Sequence, residues 1–145
     1  MFSTILIPTD GSETFSSPLE AAIQQVKLTH GKIIALAVAE SYPFNPLADN
    51  IPSADIEKYN HYQTELAEIN LREIKKKAEK AGVACDVICV SSDVPALKIV
   101  ELAETQKCDA IFMASHRRKG LMQMFVGSQT QKVLAHATVP VMVFR

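Results

Sequence analysis

Two stretches of the chain combine residue types that could hold a small polar ligand. "PTDGS" (8–12) sets a carboxylate, Asp10, directly before glycine and serine at the end of an apolar run. "MASHRRKGLMQMFVGSQTQ" (113–131) carries His116, Arg117, Arg118 and Lys119 and then Gly127-Ser128. A glycine at a helix start lets an anion approach free backbone N–H groups and the positive end of the helix dipole. Neighbouring basic side chains would add local charge. Asp10 could accept hydrogen bonds from a ligand's amine or hydroxyls. Each feature also has a purely structural reading. Asp10 can cap its own turn, and Ser128 with Gln131 three residues later forms a capping box that would satisfy the same N–H groups internally.

Other chemistry finds no support in the motifs. There is no "GxxxxGK[ST]" phosphate loop, no "GxGxxG" turn after the first strand and no "GxSxG" nucleophile elbow. The histidines at 30, 61, 116 and 136 lack metal-ligand spacing. No catalytic residue is assigned, and an enzyme acting on ATP would have no evident general base beyond Asp10. Cys85, Cys89 and Cys108 are odd in number and sit in apolar runs, so they read as buried thiols in a reducing compartment. A formal net charge of −1 provides no field that would draw the whole molecule onto nucleic acid or an anionic membrane. The lysines of "REIKKKAEK" are interleaved with acids, with Glu68 four before Arg72 and Glu73 four before Lys77, and read as a solvated helix face.

These residues need a frame to position them. The composition, 48% apolar and 21% charged, is that of a globular chain, and 145 residues fit one domain spanning 1–145. "FSTILIP" follows Met1 without a basic region and is too short for a signal peptide or a membrane span, so a cytoplasmic location is expected. Five Val/Ile-rich runs, 4–9, 32–40, 85–91, 109–115 and 139–145, read as strands, most of them buried on both faces. Helical patterns lie between them. The first is signalled by Ser17 as cap, Pro18 at the first helical position and Glu20 closing a capping box, with Leu19, Ala22, Ile23 and Val26 inward. The second is expected from about Asp55 to Ala81, with Ile56, Tyr59, Leu66, Ile69 and Ala78 inward and Gly82 ending it. The third follows Asp93 with Leu97, Val100 and Ala103 as its stripe, and the fourth begins at Ser128. Strict alternation of strand and helix implies right-handed βαβ crossovers and an α/β fold: an open parallel sheet with helices on both faces. Ligands of such sheets bind beyond the carboxyl ends of the strands. Both opening stretches fall there, as does the proline-rich loop 41–53.

The combination of "ILIPTDGSE", "CDAIFMASH" and "GSQTQKVLAHATVPVMVFR" with five alternating units resembles the universal stress protein family over the whole chain. That resemblance implies a five-stranded sheet of order 3-2-1-4-5, of the adenine nucleotide alpha hydrolase-like kind. It also implies binding of ATP or another adenine nucleotide, with or without Mg2+, through a motif G-x2-G-x9-G-[ST]. Laid onto this chain, the final pair is Gly127-Ser128 and the spacer is Arg118 to Val126, while the two upstream glycines fall on Ala114 and Arg117. Ala114 suits strand geometry. Arg117 would be strained by roughly 1–2 kcal/mol if the backbone there is left-handed; its guanidinium could either grip phosphates or fill their place. The resemblance puts the adenine beside Pro8, Thr9, Asp10 and Val38. Ribose and phosphates would lie near Met113, Ala114, Ser115, His116 and Arg117, and near Gly127, Ser128, Gln129 and Thr130. It further implies a homodimer through Val139–Arg145, which would cover an apolar edge strand. Three functions follow: a stress-response module that binds nucleotide and signals by conformation or partner binding, a dimeric interaction protein whose pocket takes no nucleotide, and a slow ATPase.

Overall fold

The computed structural model describes residues 1–10, 15–43, 45–47, 50–115 and 127–145. Five strands, β1 (Thr4–Thr9), β2 (Lys32–Ala39), β3 (Ala84–Ser91), β4 (Ala110–Ala114) and β5 (Val141–Phe144), form one parallel sheet in the order β3-β2-β1-β4-β5. Helices α1 (Ser16–Thr29), α2 (Ser53–Lys80), α3 (Pro95–Thr105) and α4 (Ser128–His136) connect them. The central strand explains the unbroken apolar run: Ile5, Leu6 and Ile7 are all 0% exposed because both faces are covered. Ile5 and Ile7 join a core with Leu19, Ala22 and Val26 of α1 and Leu71, Ile74 and Ala78 of α2. Leu6 faces the other way, toward Ala96, Ile99 and Ala103 of α3 and Val133 of α4. Burying a side chain of this size contributes about 1.5–3 kcal/mol.

The register brings three strand ends level. Thr9 stands opposite Ala37, and the Leu6–Ile111 pairing carries Ala114 to the same height. At the opposite end of the sheet, the Asp109 carboxylate accepts the Ser3 and Thr4 backbone N–H groups at 2.8 Å each. Gly31, in the α1–β2 turn, leaves no room for a side chain, since a Cβ there would collide with the Ser3 carbonyl. Gly82 ends α2 for a different reason. It adopts φ 77° while its N–H reaches Glu79 O and the Val83 N–H reaches Ala78 O, a Schellman arrangement.

Several sequence expectations need correction at the helices. The Ser17 capping box does not form: α1 opens at Ser16 with Phe15 in the cap position and no side-chain cap. Pro18, the third helical residue, is tolerated two positions further in, because the first-turn N–H groups have no partner within the helix. On α2, Tyr59, Leu66 and Ile69 are 39%, 38% and 49% exposed, and the buried stripe is Leu71, Ile74 and Ala78. The reason is length. A helix of 28 residues is about 42 Å long, whereas an eight-residue strand spans about 27 Å, so the first half of α2 overshoots the sheet at the strands' carboxyl end. On α3 the stripe is Ala96, Ile99 and Ala103, with Leu97 49% exposed. Of the charge pairs expected on α2, Lys77 instead lies 4.9 Å over the Phe15 ring, and Lys75 pairs with Glu79.

Cys85 and Cys108 are buried as read from the sequence, while Cys89 is only half-buried. Burial pushes the Cys85 and Cys108 thiols up to about 11, which keeps them protonated and unreactive at neutral pH. No described helix is long and apolar enough to cross a membrane.

Candidate functional site

A cavity of about 560 Å³ opens over the carboxyl ends of β1, β2 and β4, within the range of small-molecule sites. Of the residues singled out in the sequence, Pro8, Thr9, Asp10, Val38, Met113, Ala114, Gln129 and Thr130 line it. The strand ends are built from small side chains, and Ala37 and Ala39 of β2 and Ala114 of β4 leave the floor open where a larger residue would fill it. Met113 and Thr130 are buried at its margin. His116 and Arg117 lie outside the described residues, as do Gly11 and Ser12.

The start of α4 settles one alternative. Gly127, not Ser128, occupies the cap position, Ser128 is the first helical residue, and the cap residue makes no side-chain hydrogen bond. Gln131 donates its N–H to the Gly127 carbonyl at 3.0 Å, the ordinary first helical bond. The capping box through Ser128 and Gln131 is therefore absent, and Ser128 is exposed. Ser115 fixes the helix start from the strand side. Its N–H donates to Phe144 O at 2.8 Å, and its Oγ accepts the Gly127 N–H at 3.3 Å. Gly127 itself has φ −55° and ψ 151°, a conformation open to any residue. Ala114 sits in regular β4 pairing opposite Phe144. Neither position uses glycine's conformational freedom, so a glycine at either would matter for space alone.

The electrostatics of the cavity are polarised. Its charged lining residues, among those described, are Asp10 and Glu40 at the β1 and β2 ends, while the opposite wall presents the N-terminal turn of α4. Anionic groups are favoured at the helix start, and donors such as hydroxyls and amines at the acidic end. The Oε1 of Gln129 is buried without a hydrogen-bond partner. An acceptor in that state costs about 1–3 kcal/mol until a donor reaches it. Among the described residues no group of three or more His, Cys, Asp and Glu could hold a metal ion.

The overshooting half of α2 forms a wall that the sequence reading missed. Tyr59, Gln63, Leu66, Ala67 and Asn70 face the cavity, with Phe15 beneath and Pro95 and Ile99 across from them. The loop after β2 is clipped to this wall: the Tyr42 N–H donates to Asn60 Oδ1 at 2.7 Å, and the Tyr42 and Tyr59 rings meet edge to face at 5.4 Å. Ser41 and Ser91 hydroxyls, 2.9 Å apart, fasten the same loop to β3. The available signal was the excess length of the helical pattern between 53 and 80 over any strand in the chain.

The model of the universal stress protein family matches residues 1–145. The chain belongs to the universal stress protein family. Among family relatives, universal stress protein MJ0531 of Methanocaldococcus jannaschii is 31% identical over 145 residues, covering 100% of this chain and 83% of the relative. The solved structure of MJ0577 from the same organism superposes with a TM-score of 0.82 at 29% identity, covering 99% of this chain and 95% of that one. A family structure from Arabidopsis thaliana with AMP bound shares the fold at a TM-score of 0.66 and 18% identity, covering 98% of this chain and 90% of its own.

Proposed function

We propose that this family member binds ATP or a related adenine nucleotide in the cavity over the strand ends and acts through conformation or partner binding rather than through turnover. The observation that carries the reading is the polarity of the cavity: the first turn of α4, through Gln129 and Thr130, on one wall, and Asp10 with the β2 end on the other. Phosphates would meet Gly127 to Thr130, with Ser115 holding the helix start in place. The adenosine end would lie toward Pro8, Thr9, Asp10 and Val38. AMP in the Arabidopsis relative supports the choice of an adenine ligand. A second copy would pair through Val139–Arg145, a reading supported by the position of β5 at the sheet edge and by the 45% exposure of Met142.

Calorimetric titration of ligand-stripped protein with ATP, ADP and AMP tests the reading. Saturable heat is expected, and Gly127→Trp should weaken it by about tenfold or more, equivalent to roughly 1.4 kcal/mol. Because the Gly127 backbone suits any residue, that loss would report bulk at the phosphate approach rather than strain. No heat with any of the three at millimolar concentration overturns nucleotide binding.

A further inference from the structure

The α2 wall carries two carboxamides, Gln63 and Asn70, that line the cavity and have no hydrogen-bond partner among the described residues. Both are half-buried. Seven residues separate them, so they stand on the same side of the helix two turns apart, about 10 Å along its axis. Between them Ala67, packed against the core of α1 and α2, presents a small apolar surface beside Leu66. This is an apolar patch of the wall with a hydrogen-bonding group at each end. Its width suits a planar heteroaromatic ring that offers polar atoms on opposite edges, as a purine does. No cation among the described residues lines this side of the cavity, so a phosphate would find no attraction here. A carboxamide supplies both donor and acceptor and can pair with a base edge. The same segment of α2 lies over the β2 end, where Ala37, Val38 and Ala39 line the cavity.

Building on the nucleotide reading above, we propose that Gln63 and Asn70 are specificity-determining residues that bracket the purine base of the bound nucleotide, with Ala67 against the face of the ring.

The test compares ATP with tripolyphosphate, which keeps the phosphates and has no base, by calorimetry on the full chain. Gln63→Ala and Asn70→Ala are each expected to weaken ATP about three- to tenfold, and the double variant by roughly thirtyfold, the loss of one hydrogen bond apiece. Tripolyphosphate affinity should stay at the wild-type value in all three. Alanine favours the helix, and unchanged tripolyphosphate binding itself reports an intact site. Ala67→Phe, which fills the space between the two carboxamides, should weaken ATP and leave tripolyphosphate alone. If wild-type protein binds ATP while the double variant binds it equally well, the base does not sit on α2 and the proposal falls, with nucleotide binding intact. An equal loss of ATP and tripolyphosphate in the double variant also overturns it, since the carboxamides would then support the site rather than read the base. Absence of ATP binding in the wild type removes the nucleotide reading itself.

Discussion

Asp109 shows how much one side chain can hold at the amino end of this sheet. Its carboxylate accepts two backbone N–H groups from the segment leading into β1. The Thr4 N–H and then the Ser3 N–H hold its carboxyl below the usual carboxylate range. A folded value below the unfolded one means the contribution to stability is complete above the unfolded value, near 3.9, and is lost as pH falls through the folded value. Discounted for exposure, the two bonds are worth about 1 kcal/mol. Asp109→Asn should therefore lower the melting temperature by about 2–4 °C at pH 7. The difference from wild type should shrink as pH falls below the unfolded value and through the lowered folded one. Thermal melts across pH 2.5–7 check this, and a gap that stays constant with pH would assign the loss to packing instead.

At the scale of the element, α2 is two helices in one. Its second half, with Leu71, Ile74 and Ala78, is a core element, and its first half leaves the sheet behind to become a wall. Ile74→Ala is expected to cost about 2–5 kcal/mol, because Ile74 is 0% exposed and the site cannot collapse. Ile69→Ala, from a residue 49% exposed, should cost less than about 0.5 kcal/mol. Urea denaturation of the two variants measures the contrast, and equal losses would contradict the overshoot. This division also marks the limit of what periodicity can reveal. Tyr59, Leu66 and Ile69 repeat at helical spacing as faithfully as a core stripe does. Whether such a stripe is buried depends on where the neighbouring strand ends, a tertiary fact. The same limit moved the α3 stripe from Leu97 to Ala96, where a small residue meets the sheet closely. Strands were far more legible, since Ile5 to Ile7 must be covered on both faces and only a central parallel strand does that.

For the whole molecule, the proposed pairing concerns the β5 edge of the sheet. A shallow groove beside it is lined by Ala21, Leu28, Phe112 and Met142, and Leu28 is 74% exposed. If a second copy covers this edge, light scattering should give a mass twice 15.9 kDa. Met142→Arg should shift the population to monomer while leaving the fold intact. A wild-type monomer at micromolar concentration would end the pairing proposal. The candidate site was partly legible at this scale, because the strand-end rule leads to the crevice that Asp10, Gln129 and Thr130 line. Its far wall was not, because Gln63 and Asn70 reach it only through the mismatch between helix and sheet length.

The cavity lies where the two layers of helices cease to be separated by the sheet. Below the level of Thr9, Ala37 and Ala114, α1 and α2 cannot touch α3 and α4, and each layer packs against its own core. A molecule seated above that level would bridge α2 on one side and α4 on the other. It would act as a removable keystone, making the spacing of two otherwise independent layers depend on occupancy. On the proposed function, such a bridge would turn the concentration of a small molecule into a geometric state of the outer helices, readable from outside without any bond being broken.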